Sequence, residues 1–205
     1  MIEFYTWTTG NGRKVAIALE ELGLSYRIHP VDLTKGMQKA PEFLAVNPDG
    51  KIPAIVDPEG PNERRGIFES GNILLYLAEK TDQRLPIDRP SRQQALQWLF
   101  YASATVTPQS SGVFRAKSMK TPDPAMVDLF MGSLKQCYAV LDQRISVNRH
   151  FAGSEYSIAD IALFPTVAGW QRQGIDLAAY PNLRRWHDYV AQRPAVAKGM
   201  TLPTV

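Results

Sequence analysis

The hydrophobic pattern of this chain changes character once, near residues 81–90, and that change limits the folds open to it. Before it, strand-like and helix-like periods alternate. Ile2–Trp7 is rich in β-branched and aromatic residues, as a half-buried strand requires. Val15, Ala18, Leu19 and Leu22 then recur at i, i+3, i+4 and i+7, one face of a helix that Gly23 ends. Tyr26–Val31 reads as a second strand, so the opening is a β-α-β unit with a right-handed crossover. Pro41–Val46 is a short helix before the turn Asn47-Pro48-Asp49-Gly50. Ile52–Val56 and Arg65–Phe68 flank the turn-rich Asp57–Glu63 as an antiparallel hairpin. Ser70–Lys80 is a helix with Ile73, Leu74 and Leu77 on its buried side.

The stretch TDQRLPIDRP, Thr81–Pro90, carries proline and charge and reads as a linker. Beyond it only helical patterns occur. Ser91 is the expected cap of a long helix through Gln93–Ala104, and a second helix spans about Ala125–Ile145. Ser157-Ile158-Ala159-Asp160 fits a capping box and opens a third, with Pro165 in its interior, where a proline marks a kink or local adjustment. Asn182–Gln192 is a fourth, between Pro181 and Pro194. The expected fold class is α/β plus all-α. Residues 1–80 form a thioredoxin-like domain (βαβ-ββα), 81–89 a linker, and 90–205 an all-helical bundle.

Composition narrows the function classes. Apolar residues make up 44% and charged residues 21%, enough for an ordinary core. The net charge of +3 comes from scattered Lys and Arg, with no basic stripe interleaved with aromatics, so no nucleic-acid partner is expected. No apolar run approaches the ~18 residues of a membrane span. Glu3 stands where a signal peptide would carry positive charge, so a cytoplasmic protein is expected. Cys137 is the single cysteine, which rules out an intrachain disulfide and fits a reducing compartment. It lies among Leu134, Tyr138 and Leu141 at helical spacing, as a packed core thiol would. His29, His150 and His187 lack metal-ligand spacing, and no metal is expected.

Three segments carry candidate chemistry. The first is Thr8-Thr9-Gly10-Asn11-Gly12, between the first strand and the first helix. Gly12 is followed by Arg13-Lys14-Val15, which fits neither a phosphate loop nor a dinucleotide fingerprint. In a thioredoxin-like unit a redox Cys-x-x-Cys would sit here. This loop has no sulfur, but a hydroxyl, a side-chain amide and free helix N–H groups can all donate to a thiolate brought by a ligand. The plainer reading is that Asn11 caps the helix. The second segment is Asn47-Pro48-Asp49-Gly50-Lys51-Ile52-Pro53-Ala54. Pro53 opens a strand after a turn and is a candidate cis proline, exposing the Ile52 backbone to a peptide ligand; a plain hairpin proline is the alternative. The third is Phe68-Glu69-Ser70-Gly71. Ser70 with adjacent N–H groups suits a carboxylate and Glu69 an ammonium, the two ends of an α-amino acid, although simple helix capping explains Ser70 equally well.

Together the three segments suit a small thiol peptide with a free amino-acid end. At this point the chain resembles the glutathione transferase family. NPDGKIPAIVD and FESGNILLYLAEK are similar to that family's glutathione-site segments, and EYSIADIA fits its C-terminal domain. YTWTTGNGRKV and VDLTKGMQKAPEF resemble more narrowly its bacterial Nu-class and yeast nitrogen-regulator-like branch, whose members are glutathione-dependent disulfide-bond oxidoreductases.

By matching position, the resemblance implies that Thr9 and Asn11 face the glutathione sulfur and Gln38 contacts the tripeptide. It implies that Ile52, before Pro53 and with Lys51 nearby, pairs with the cysteinyl backbone, and that Glu69 and Ser70 hold the γ-glutamyl end. The branch carries an arginine in the second helix of its C-terminal domain; here Val127-Asp128-Leu129-Phe130-Met131 has none, with Arg115 and Lys117 as candidate substitutes. Tyr5, the alternative thiolate donor of tyrosine-type transferases, lies inside the strand rather than in the loop. The polar run Thr105–Lys117 could line an electrophile pocket or be a broken, solvated helix. The resemblance further implies a homodimer.

The leading expectation is an enzyme that activates the glutathione thiol to reduce disulfides, with transferase or peroxidase side activity. Conventional conjugation of glutathione to small electrophiles and a non-catalytic glutathione-binding regulator are the alternatives.

Overall fold

Ile2, Phe4 and Thr6 turn inward along β1 (Ile2–Thr6) while Glu3 and Tyr5 face the other side, the alternation expected of a strand between two layers. The computed structural model describes residues 1–60 and 66–204, so the middle of the expected hairpin, residues 61–65, lies outside it. By its internal contacts the chain divides into two units, Met1–Gln83 with the stretch from Arg193, and Arg84–Gln192.

In the first unit β1 is followed by α1 (Gly10–Glu21), β2 (Tyr26–Pro30), α2 (Pro41–Leu44), β3 (Ala54–Val56), β4 (Ile67–Phe68) and α3 (Ser70–Thr81). The four strands are ordered β2-β1-β3-β4. β1 and β2 are parallel, as a βαβ unit requires, whereas β1–β3 and β3–β4 are antiparallel. Val15, Ile17, Ala18 and Leu19 of α1 and Ile73, Leu74 and Leu77 of α3 are sealed from solvent. A second apolar cluster, Val31, Phe43 and Ala54 with Tyr5, Val46 and Ile52, completes the core of this unit.

The second unit is helical. α4 (Arg89–Tyr101) runs through a π turn at Ala102–Val106 into α5 (Thr107–Lys117), followed by α6 (Pro124–Val147), α7 (Ile158–Val167), α8 (Trp170–Gln173) and α9 (Pro181–Ala191). Asp88, not Ser91, caps α4: its carboxylate accepts from Ser91 N at 2.9 Å, and Pro90 occupies the first turn, where its missing N–H costs nothing. The wider turn at 102–106 precedes Pro108, whose ring would crowd the carbonyl one turn back in a regular helix. The polar run 105–117 is therefore helical rather than broken, and it buries Gly112, Val113 and Ala116. A Cβ on Gly112 would come within 2.3 Å of the Phe130 ring, so α5 and α6 approach closely there.

Every residue of α7 is buried, and its capping box is complete. The chain then returns to the first unit as α10 (Pro194–Met200). This helix lies against α1: a Cβ on Gly199 would stand 2.7 Å from the Ile17 backbone. Arg193 clamps Glu21 through two hydrogen bonds of 2.6 and 2.8 Å, and Lys198 meets Glu20 at 2.9 Å. From the sequence the helical domain is expected to run through residue 205, with no helix assigned after Gln192; packing groups residues 193–204 with α1. Among the described residues no helix is long and apolar enough to cross a membrane.

Candidate functional site

Strand register gathers the three segments. His29, Tyr5, Ala54 and Phe68 form one row across the sheet. Past that row, β1 leads into residues 7–12, β3 is entered from residues 47–53, and β4 leads into Glu69 and Ser70. All three loops leave the same edge of the sheet, and the segment after β2, which contains Gln38, leaves it too. In an open α/β sheet such an edge is where ligands bind.

At the first loop the helix cap is Thr9, not Asn11. Thr9 Oγ1 accepts a hydrogen bond from Gly12 N at 3.1 Å, and Thr9 has the extended backbone of an N-cap. With a lone pair committed to the helix, the hydroxyl keeps its proton for an acceptor outside it. Asn11 is the second residue of α1, with its Oδ1 buried and without a hydrogen-bond partner. No acidic residue lies in the first turn of α1, so no carboxylate of the helix itself offsets the positive end of its dipole. Gly12 is what permits the geometry: a Cβ there would stand 2.3 Å from Thr6 Oγ1 and 2.6 Å from Trp7 O.

The second loop is built around Asn47, which is buried. Its Oδ1 accepts from Asp49 N at 3.1 Å, and its Nδ2 donates to Lys51 O at 2.6 Å. Gly50 adopts φ 63, and a Cβ there would touch Gln38 O at 3.0 Å, which ties this loop to the one carrying Gln38. The Ile52–Pro53 bond is cis. β3 begins at Ala54, so Ile52 lies outside the ladder. The Gln38 side-chain Oε1 is buried without a partner. Lys51 is exposed and pairs with Asp49 at 2.7 Å.

At the third loop Glu69 holds φ 67, ψ 114, a conformation costly for a non-glycine residue. Its side chain is exposed, while Ser70, the first residue of α3, is buried. Lys14, which sequence reasoning passed over, is 1% exposed. Burial pushes its pKa down to about 7, and the Glu69 carboxylate acts in the opposite direction. Its place was legible: Lys14 shares the helix face of Ile17 and Ala18, a lysine on an apolar stripe.

The remaining candidates have structural settings. Tyr5 lies inside β1 and stacks on His29, with ring centroids 4.6 Å apart, and burial raises its pKa. Cys137 is buried on α6 and burial raises its thiol pKa, as for a packed thiol. His29 bonds Glu3, His150 meets Asp160 at 3.2 Å, and His187 meets Asp188 at 2.9 Å. Among the described residues no group of His, Cys, Asp and Glu could hold a metal ion. Lys117 donates to the Gln173 carbonyl at 2.8 Å, and Arg115 is exposed on the same helix, α5.

Comparison with known proteins places this architecture. Residues 11–80 match the model of the glutathione S-transferase N-terminal domain, and residues 100–194 that of the C-terminal domain. The chain is 42% identical over 204 residues to disulfide-bond oxidoreductase YfcG of Escherichia coli (strain K12), covering 98% of this chain and 94% of that one. It is similar to a solved glutathione transferase from Pseudomonas putida with one glutathione disulfide bound per subunit: TM-score 0.93, 36% identity, 98% of this chain and 91% of that one. A glutathione transferase family member from Pseudomonas fluorescens pf-5, with two glutathione bound, is similar at TM-score 0.90 and 34% identity, over 98% and 93% of the two chains.

Proposed function

Since this chain belongs to the glutathione S-transferase family, we propose that it is an enzyme that binds glutathione at the sheet edge of its first unit and uses the glutathione thiolate to reduce disulfides. The observation that carries the reading is the Thr9 cap. Its oxygen is held by Gly12 N at 3.1 Å, which leaves the hydroxyl proton for a sulfur brought to the start of α1. The chain's own cysteine, Cys137, is buried on α6 in the other unit, so the reacting sulfur comes with the ligand.

Hydrogen bonds from Thr9 and from the Asn11 amide, with the positive end of the α1 dipole, favour the thiolate over the thiol. The thiolate attacks one sulfur of a disulfide; a new S–S bond forms and the other sulfur leaves as a thiolate. A second glutathione thiolate attacks the mixed disulfide, releasing the second substrate sulfur and glutathione disulfide. Two electrons pass from two glutathiones to the substrate, and no protein cysteine takes part. The relatives support this direction: one is named a disulfide-bond oxidoreductase, and the two solved structures hold glutathione disulfide or two glutathiones. Gln38, Lys51 and Ile52 with Pro53 serve the tripeptide backbone, and Glu69 and Ser70 its γ-glutamyl end.

One observation favours the conjugating alternative. Residues 127–131 contain no arginine, which leaves Arg115 and Lys117 as the candidate cations for a second glutathione, and Lys117 already donates to Gln173 O. The test is glutathione-dependent reduction of hydroxyethyl disulfide beside conjugation of an aryl halide. Disulfide turnover is the expected result. Brisk conjugation without it makes the protein a conventional transferase, and glutathione binding with neither activity makes it a regulator. We also propose a homodimer, which analytical ultracentrifugation checks.

A further inference from the structure

The amino-acid end of a γ-glutamyl ligand poses an electrostatic problem at the Glu69–Ser70 corner. Glu69 suits the ligand's ammonium. The ligand's carboxylate must then settle one residue away, beside a like charge. The start of α3 contributes roughly half a positive charge. That does not offset a full carboxylate on Glu69.

Lys14 supplies the missing charge. It is 1% exposed on α1, the helix packed beside α3, and the Glu69 carboxylate favours its charged form. Arg13 on the same helix as Lys14 and Glu79 on α3 have partners of their own. On α10, Arg193 and Lys198 pair with Glu21 and Glu20 at the far end of α1; on α3, Lys80 pairs with Asp57 and Glu59. A lysine buried on an apolar helix face is disfavoured by desolvation, and an alanine or leucine would pack there without that penalty.

We infer that Lys14 is a positioning residue for the amino-acid end of glutathione: its buried ammonium counterbalances Glu69 so that the corner accepts the ligand's carboxylate beside its ammonium. The inference rests on the glutathione-binding reading of the site. Because burial holds the Lys14 pKa at about 7, the fraction of protein carrying this charge falls across the neutral range. A ligand whose carboxylate needs the charge draws a proton onto Lys14 when it binds, so affinity falls as pH rises through neutrality. The fall is about tenfold for each unit by which the ligand raises the Lys14 pKa.

The experiment is calorimetric titration of the full chain with S-methylglutathione from about pH 6 to pH 8. S-methylation removes the thiol's own titration, and any titration of the ligand is common to every variant. Wild type is expected to bind more weakly as pH rises and to take up protons on binding, seen as a heat that depends on the buffer's ionisation enthalpy. Lys14→Arg, charged throughout, is expected to bind tightly with no slope; Lys14→Met is expected to bind weakly with no slope. If Lys14→Met does not fold, the contrast between wild type and Lys14→Arg decides the matter. A flat or reversed wild-type slope, or a Lys14→Met protein with wild-type affinity and slope, overturns the role of Lys14 while glutathione binding stands. Absence of S-methylglutathione binding by wild type at every pH overturns the glutathione reading itself, and this inference with it.

Discussion

Two helix starts in this molecule use the same residue chemistry to opposite ends. At α7, Ser157 caps the helix and Asp160 answers it, and the carboxylate of Asp160 is saturated. It accepts from Trp186 Nε1 at 2.9 Å, Ser157 N at 3.0 Å and Phe151 N at 3.3 Å, with His150 Nδ1 at 3.2 Å. At α1, Thr9 makes one cap bond, no acid follows in the first turn, and Asn11 Oδ1 is buried without a partner. A saturated start is a structural joint. An unsaturated one, set at a sheet edge where other loops converge, is poised for a ligand.

The comparison breaks first on stability. Asp160→Ala orphans several buried donors at once and is expected to cost about 3–5 kcal/mol in urea unfolding, with activity per folded molecule unchanged. If activity per folded molecule falls steeply as well, α7 is not the structural half of the pair.

Thr9→Ala is the converse. Its stability loss should stay near 1 kcal/mol, the value of one cap, while disulfide turnover falls roughly 100-fold, as on loss of one preorganised donor. Thr9→Ser should restore most of the rate, because it keeps the hydroxyl. An alanine variant with full turnover would place thiol activation elsewhere.

Lys14 sharpens the contrast through pH. Its folded pKa of about 7 lies below the unfolded value of 10.5, so between those values the unfolded chain binds more protons and stability rises with pH. Unfolding free energy should climb from pH 7 toward pH 9, by at most about 1.4 kcal/mol per pH unit, and Lys14→Met should level that climb. Parallel profiles for the two proteins would show that Lys14 does not titrate in this window.

Asn11→Ala has the smallest expected effect. Removing a buried, unpartnered oxygen should leave stability within about 1 kcal/mol of wild type, while the lost amide donor slows turnover about tenfold. A rate change as large as that of Thr9→Ala would make Asn11 the principal donor.

Much of the fold was legible because its signals are local. The Ser157–Asp160 box, the apolar face of α1 and the proline after the NPDG turn are each set by residues close along the chain, and the structure shows a complete capping box, a buried helix and a cis Ile52–Pro53 bond there. Cap identity was harder. Asp88 outcompeted Ser91 because Pro90 fits only the first turn, and Thr9 rather than Asn11 took the α1 cap because Gly12 N lies within reach of its hydroxyl. The helix α10 was itself not assigned from the sequence, and its return to α1 carried no local mark, since a helix reads the same whichever unit it packs on.

What the sequence determined by itself is therefore the order of strands and helices in the first eighty residues, the change of pattern near residue 81, and the residue types offered in each loop. Tertiary structure alone decided that those loops leave one edge, through the row His29, Tyr5, Ala54 and Phe68. It alone left no room for a side chain at Gly12, and it alone buried Lys14 within the field of Glu69. The reason is range. Propensity and capping act over a few residues, whereas strand register, desolvation and charge pairing depend on which distant segments the fold brings into contact.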